Sequence, residues 1–352
     1  MPHDRDEYDP ISDLLRAVRA MVACYVPVDR RAAFGELDSL ETGSSAGAPL
    51  RGETHRSSPA AQNTPPPAED ADPILRSLTK ARNRRHGPLF VRAVERFNQE
   101  LRTLKSDGTL DAAFRTLGNA DGVPEMVWRT AQEQVYARVV GPEVDKLKRY
   151  EAFSDYVYGE LQPPFLSEIS RRTHLGPNSV FVDLGSGIGN LLLQASLQSG
   201  AEVYGCEVMP VPSSMAERQL LQAVHRWRMW NVRGGPHMEA WCADFTDSER
   251  VRSVLKRADV VLVNNYAFRP HTNDTLSLLF LDLKDGATIV SLRPFVPHDF
   301  RLTERTLSSP LAILRMEEYR YTSGCVSWAA GGGKYYVHTV DRSLVQRYLE
   351  RH

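Results

Sequence analysis

Three acidic residues stand where strands are predicted to end, and the first of them leads into a glycine-rich turn. Asp183 precedes the turn at 185–190, Glu207 follows about 18 residues after the last glycine of that turn, and Asp244 stands beside the aromatic Phe245. A carboxylate at the second strand end is placed to accept hydrogen bonds from two ribose hydroxyls. Asp244 can accept from an adenine amine while the neighbouring ring packs on the base. The pattern predicts a site for an adenosine-containing ligand.

The glycine spacing argues against loops that bind phosphate. The turn reads Gly185-x-Gly187-x-Gly189, no Gly-Lys-Ser/Thr closes it, and Asn190 takes the place of the last glycine of the dinucleotide fingerprint. Three acids suit a positively charged ligand better than a pyrophosphate. The adenosine cofactor that carries positive charge is S-adenosylmethionine, which we therefore expect here. A second interpretation stays open, in which the acids at the second and third strand ends are solvated loop residues or helix caps.

Other kinds of catalytic or metal site have no sequence signal. The chain contains no HExxH, no GxSxG and no cluster of metal ligands. Its four cysteines, at positions 24, 206, 242 and 325, are too far apart to indicate a zinc knuckle or a disulfide framework. We expect no metal and a reducing compartment.

The residues that carry these features lie in a region where strands and helices alternate. From residue 179 onward, apolar β-branched runs end at glycine or acid and are separated by helical segments, as in a parallel sheet with helices on both faces. The segments 313–328 and 334–342 follow each other without a helix and predict a closing antiparallel hairpin. Residues 151–352 are therefore predicted to form a doubly wound α/β domain.

Three segments of different character precede this domain. In the region 1–40, residues 11–25 place apolar side chains at steps of three and four, which predicts an amphipathic helix. Residues 41–72 are rich in Ser, Pro, Gly and Ala, which predicts a disordered linker. Residues 73–150 are predicted to form a smaller, basic helical subdomain.

A concentration of positive charge is hidden within a net charge of −1. Between residues 74 and 105 the chain carries nine basic residues, Arg76, Lys80, Arg82, Arg84, Arg85, Arg92, Arg96, Arg102 and Lys105. Arg82, Arg84 and Arg85 fall in KARNRRHG, which we expect to be an exposed connector able to contact DNA phosphates without reading sequence. The same residues are compatible with a nuclear import signal or with a merely solvated face.

Length and composition set the remaining limits. The chain has 352 residues, of which 42% are apolar and 25% charged, enough for a sizeable core in one or two domains. The first ten residues lack the order of a secretion signal, and no apolar run approaches the roughly 20 residues that a bilayer requires. We expect a globular protein inside the cell and off the membrane.

Several motifs together point to a family. They are VYGEL at 157–161, VDLGSGIGN at 182–190, YGCEV at 204–208, VNNYAF at 263–268, SLRPF at 291–295, VSW at 326–328 and YYVHTVDR at 335–342. Over about 130–345 the chain resembles the Disruptor of telomeric silencing family, histone H3 lysine methyltransferases that lack a SET domain and use a seven-stranded class I methyltransferase sheet. Basic material precedes the catalytic part, as in fungal members.

The resemblance implies a cofactor site and a substrate channel. S-adenosylmethionine would be bound by Tyr158, Gly159, Glu160, Leu161, Phe181, Val182, Asp183, Leu184, Gly185, Ser186, Gly187, Ile188, Gly189, Asn190, Glu207, Asp244 and Phe245. A narrow lysine channel would be lined by Asn264, Phe268, Trp328 and Tyr335. Asn264 and Tyr335 would orient the substrate amine rather than act as strong bases.

The family also implies partners and a place in the cell. Its substrate is a lysine on the folded core of histone H3 in the nucleosome. The resemblance therefore implies a monomeric chromatin enzyme in the nucleus, with no membrane partner and with roles in silencing and in the DNA damage response. A ubiquitin-bearing histone is a further possible partner. Two alternatives stay open: a methyltransferase fold that merely binds chromatin, and a nucleic-acid amine methyltransferase, although the latter commonly has Pro-Pro-aromatic where this chain has Asn265-Tyr266.

Overall fold

The computed structural model describes residues 8–37, 72–118, 122–148 and 159–351, which fall into two compact units. Of the described residues, the first unit comprises 9–37 and 72–118, and the second comprises 122–148 and 159–351 together with residue 8. The predicted linker at 41–72 lies outside the described residues up to residue 71.

The first unit is helical, as the apolar periodicity predicts. Its helices are α1 Pro10–Tyr25, α2 Ile74–Asn83, α3 Gly87–Ser106 and α4 Thr109–Gly118. Asp9 caps α1 by accepting hydrogen bonds from the backbone N–H groups of Ile11 and Ser12, at 3.0 and 3.2 Å. The apolar stripe of α1 packs with those of α2 and α3 around Phe34 and Phe97, whose ring centroids are 5.7 Å apart. The predicted amphipathic helix is confirmed.

The three arginines singled out in the sequence differ in their surroundings. Arg82 lies in the last turn of α2, is half-buried, and donates to Ser12 Oγ at 3.2 Å. Arg84 and Arg85 are exposed in the link between α2 and α3. The connector is therefore shorter than expected, because α2 continues to Asn83.

The second unit alternates helices and strands. Its helices are α5 Glu125–Val139, α6 Pro163–Arg172, α7 Asn190–Ser199, α8 Pro210–Met229, α9 Glu249–Leu255, α10 Pro270–Leu279 and α11 Ser343–Leu349. Its strands are β1 Val180–Leu184, β2 Glu202–Glu207, β3 Met238–Cys242, β4 Val260–Val263, β5 Thr288–Ser291, β6 Leu314–Tyr321 and β7 Gly333–Val340. A 3₁₀ helix at Gly141–Lys148 follows α5.

The strands form one sheet in the order β3-β2-β1-β4-β5-β7-β6. All neighbours pair in parallel except β7, which runs antiparallel to both β5 and β6. This is the predicted α/β fold, a doubly wound seven-stranded sheet of the class I methyltransferase type, closed by the predicted hairpin. The strand order reverses direction between β1 and β4, which is where open α/β sheets bind ligands.

The start of the second unit lies earlier than the boundary expected at 150. Gln132 on α5 donates to the backbone carbonyl of Asn190 at 2.9 Å, and Gln134 on α5 accepts from Trp230 Nε1 at 3.1 Å. These contacts place α5 against α7 and the end of α8 in the second unit, so the division falls at 119–120. Within the described ranges, no helix combines the length and apolar character needed to cross a membrane.

Candidate active site

A cavity of about 300 Å³ opens at the carboxyl ends of β1, β2, β3 and β4, where the strand order reverses. Of the residues expected to bind a cofactor, these line it: Gly159, Glu160, Leu161, Asp183, Gly185, Ser186, Gly187, Ile188, Asn190, Glu207, Asp244 and Phe245. Of the residues expected to form the lysine channel, Asn264 and Phe268 line it. The three acids and the glycine turn therefore meet at one edge of the sheet.

Four of the expected cofactor residues that the structure describes do not line the cavity. Phe181, Val182 and Leu184 are buried in β1, and Gly189 forms the N-cap of α7 with φ 81°, where its missing side chain lets α8 approach. A Cβ on Gly189 would lie 3.1 Å from the Cβ of Ala216. Tyr158 lies outside the described residues.

Glu207 lines the cavity and also binds the backbone of the glycine turn and of the segment before α8. Its two carboxylate oxygens accept from the backbone N–H groups of Gly187 and Met209, each at 2.8 Å. The side chain is buried, and this burial raises the pKa of Glu207 while the backbone donors act in the opposite direction. A carboxylate has about four lone-pair sites, so both oxygens can still accept from a ligand.

Asp183 is more deeply buried than Glu207. Burial, and then the charge of Glu207, raise the pKa of Asp183 to about 7. Two carboxylates close together in a poorly solvated cavity repel each other, and a positively charged ligand would relieve that repulsion. The electrostatics of this end therefore favour a cation.

Asp244 serves as a helix cap, so the second interpretation of this acid is right in part. Its Oδ1 accepts from the backbone N–H and the hydroxyl of Thr246, at 2.8 and 2.6 Å, at the start of the 3₁₀ helix Phe245–Asp247. It also lines the cavity. Next to it, the rings of Phe245 and Phe268 pack with centroids 5.8 Å apart and form an aromatic wall.

The two adjacent asparagines after β4 have different surroundings. Asn264 donates from Nδ2 to the backbone carbonyl of Gly159 at 3.2 Å, and its buried Oδ1 has no donor among the described residues. Asn265 is fully buried and does not line the cavity. Its amide accepts from the backbone N–H groups of Leu292 and Arg293 and donates to the carbonyl of Arg293 and to Asn273. Asn264 thus lines the cavity and keeps one buried acceptor without a donor among the described residues, and Asn265 connects the ends of β4 and β5.

Two residues expected in the lysine channel lie off the cavity. Trp328 packs against Gly159, where a Cβ would come within 2.7 Å of Trp328 Cε3. Tyr335 is fully buried in β7, where its hydroxyl accepts from Arg172 Nε at 2.9 Å and lies 3.2 Å from Glu168 Oε1. The channel role of both residues stays a prediction.

Sequence reasoning missed several lining residues. They are Leu191, Val208, Met209, Pro212, Thr246, His271 and Thr272. Most stand at helix starts just beyond strand ends, so reading further into each following helix would have found them. In the described parts of the chain, no group of three or more His, Cys, Asp or Glu residues is arranged to hold a metal.

Comparison with solved structures finds only weak similarity to methyltransferases. An RNA methyltransferase from Salinibacter ruber, in complex with S-adenosyl-L-homocysteine, is 20% identical with a TM-score of 0.34, covering 52% of this chain and 94% of that one. An S-adenosylmethionine-dependent O-methyltransferase from Thermotoga maritima is 16% identical with a TM-score of 0.34, covering 56% and 70%. These similarities are too low to extend a function to this chain.

Comparison of sequences is more decisive. A histone-lysine N-methyltransferase of Mycosarcoma maydis, H3 lysine-79 specific, is 47% identical over 99% of this chain and 58% of its own length. A relative of the same name from Cryptococcus neoformans var. neoformans is 38% identical over 97% of this chain and 59% of its own length. The chain thus spans less than two thirds of these relatives. The family model for the histone methylation protein DOT1 matches residues 136–340, and the chain belongs to that family.

Proposed function

We propose that this chain is a histone-lysine N-methyltransferase that moves methyl groups from S-adenosylmethionine to a lysine on the folded core of nucleosomal histone H3. The observation that carries the proposal is that Asn264 lines the cavity while its buried Oδ1 has no donor among the described residues. A buried acceptor left unpaired costs free energy, so such a group at a cavity is a candidate for pairing with a ligand N–H. A lysine amine supplies one.

The other end of the cavity supports the cofactor. Asp183 and Glu207 would bind the positively charged amino acid part and the ribose, and Asp244 with Phe245 would bind the adenine. When bound, S-adenosylmethionine supplies an electrophilic methyl group on a sulfonium. The raised pKa of Asp183 fits a site that is completed by a cation.

The chain's own contribution to the reaction is placement. Asn264 Oδ1 would accept one N–H of the neutral amine and so direct the amine lone pair along the line of methyl transfer. Phe268 and Phe245 exclude water from this part of the cavity, and a dry surrounding lowers the pKa of the lysine amine. No covalent enzyme intermediate and no strong base are required.

The names of the relatives indicate which lysine to propose as the substrate. Their name specifies lysine-79 of histone H3, and we propose the equivalent lysine for this chain. A lysine on a folded nucleosome surface requires the enzyme to dock on a DNA-wrapped particle, for which exposed Arg84 and Arg85 offer phosphate contacts. We accordingly propose a monomeric nuclear protein that binds nucleosomes, regulates chromatin in silencing and the DNA damage response, and responds to a ubiquitin-bearing histone.

A methylation assay that compares nucleosomes, free histones and naked nucleic acid tests the proposal. We expect transfer to H3 within nucleosomes, and we expect Asn264→Ala to bind cofactor but to turn over at least tenfold more slowly. Asn178→Ala, an exposed asparagine before β1, is the matched control. Transfer to nucleic acid alone would favour the amine methyltransferase of nucleic acids, and nucleosome binding with cofactor but without transfer would favour a chromatin-binding module.

A further inference from the structure

Residues 159–161 form one wall of the cavity, and they are hydrogen-bonded to the loop at 325–327 between β6 and β7. Leu161 pairs with Val326 in an antiparallel bridge, and Gln162 N–H donates to the carbonyl of Cys325 at 2.8 Å. Ser327 and Glu160 exchange two further hydrogen bonds. Ser327 N–H donates to the Glu160 carbonyl at 2.9 Å, and Glu160 N–H donates to Ser327 Oγ at 2.9 Å. We call this pairing the 160–327 clamp.

Only one of the clamp's hydrogen bonds uses a side chain. Cys325 and Val326 are buried and anchor the loop, but its flanks at 322–324 and 329–332 are exposed. Ser327 is exposed as well, so its hydroxyl does not serve the core. The hydroxyl fixes the backbone N–H of Glu160, one residue after Gly159.

Gly159 connects the 160–327 clamp to Asn264 through a hydrogen bond. The Gly159 carbonyl accepts from Asn264 Nδ2 at 3.2 Å, and the Gly159 Cα lies against the Trp328 indole. The two ends of an asparagine amide have opposite hydrogen-bonding character, because Oδ1 accepts and Nδ2 donates. As long as the Gly159 carbonyl accepts from Nδ2, the amide of Asn264 keeps one rotation, and Oδ1 is the group left for a ligand donor. A rotated amide would set a donor against the N–H groups of a neutral amine.

We propose that Ser327 is a positioning residue for methyl transfer and acts through Gly159 on the orientation of Asn264. The inference rests on the proposed function, since it assigns Asn264 Oδ1 to the substrate amine. It assigns to Ser327 no contact with substrate or cofactor. The competing explanation is an ordinary exposed loop serine whose hydroxyl matters only for local stability.

A double-mutant cycle separates these explanations. We expect Ser327→Ala to lower turnover on nucleosomal H3 about 2- to 10-fold at saturating cofactor, the range set by one neutral hydrogen bond. Ser327→Thr keeps the hydroxyl and should restore turnover to within twofold of the unaltered chain. Ser323→Ala, in the exposed flank of the same loop, should have no effect. In an Asn264→Ala background, measured in single turnovers with excess enzyme, Ser327→Ala should cause no further loss.

Two results would overturn the inference. One is unchanged turnover in Ser327→Ala. The other is an equal fold-loss with and without Asn264, which would show that Ser327 does not act through the amide. If the unaltered chain transfers no methyl group to any substrate, the proposed function fails by itself. The clamp is then tested by NMR: the Asn264 side-chain amide, assigned by its absence in Asn264→Ala, must exchange with solvent faster in Ser327→Ala and not in Ser323→Ala.

Discussion

Replacing Glu207 with Gln tests the claim that one carboxylate both shapes the glycine turn and binds the ribose. Glutamine keeps the size of the side chain but has only one acceptor oxygen. Because both oxygens of Glu207 accept from backbone N–H groups at 2.8 Å, the substitution sets an NH₂ group against either Gly187 N–H or Met209 N–H. One hydrogen bond to a charged group is lost on the protein side and one on the ligand side.

The two losses have different sizes. On the ligand side, a hydrogen bond to a charged group contributes about 1.5–3 kcal/mol, so cofactor affinity should fall roughly 10- to 150-fold. On the protein side, the loss is partly offset, because the raised pKa of Glu207 shows that its buried charge is costly. We expect a melting temperature that falls by only a few degrees.

Calorimetric titration with S-adenosylmethionine, together with thermal melting, measures both effects. Glu202→Gln is the matched control, because Glu202 begins the same strand and pairs with Arg257 at 2.7 Å, far from the cavity. That ion pair is partly exposed, so it contributes about 1 kcal/mol to stability, and nothing to affinity. Affinity of Glu207→Gln within twofold of the unaltered chain, or equal weakening by Glu202→Gln, would refute the ribose assignment.

Three further predictions concern charge. Burial and the charge of Glu207 raise the pKa of Asp183 to about 7, so affinity for a cationic cofactor should rise as pH increases through 7. Affinity for uncharged 5′-methylthioadenosine should not change over the same range. If calorimetry shows no pH dependence of affinity for either ligand, the proposed role of Asp183 is wrong. Burial lowers the pKa of His338 from 6.5 to about 4, so the free energy of unfolding should fall by roughly 3 kcal/mol as pH falls from 6.5 to 4. In His338→Gln, the free energy of unfolding in urea should depend less on pH over this range. An unchanged pH dependence would show that another group is responsible. Replacing Arg84 and Arg85 with Ala should weaken nucleosome binding and reduce its salt dependence by about two phosphate contacts, while the melting temperature stays unchanged. If nucleosome affinity near physiological salt does not fall, these side chains only face solvent.

Much of the sheet could be predicted because its strands carry continuous apolar runs. Val180–Leu184 is buried at every position, as expected for a strand covered on both faces. Strand ends were less predictable. Strand β4 ends at Val263, because Asn265 bonds across to the end of β5 and turns the chain. That bond depends on a neighbouring strand distant in sequence.

The site was predictable where residue type and strand end coincide, and not where orientation decides. Carboxyl ends of parallel strands meet at one edge, so Asp183, Glu207 and Asp244 could be grouped from spacing alone. The direction of Tyr335 could not, because β7 is covered on both faces and the pairing of its hydroxyl with Arg172 involves α6, more than 160 residues earlier. Nor does any local pattern show that an exposed serine near the end of the chain fixes the wall of the cavity.

The polar residues of the cavity share one property that links stability to function. Glu207, Asp244 and Asn264 each use part of the side chain on the protein's own backbone and present the rest to the cavity. Their geometry is therefore set during folding, and little ordering remains to oppose ligand binding. The same arrangement means that no substitution at these positions removes a ligand contact alone. Across such variants, a larger loss of affinity should accordingly come with a larger fall in melting temperature. In Ser327 variants, by contrast, turnover should fall while the melting temperature stays unchanged.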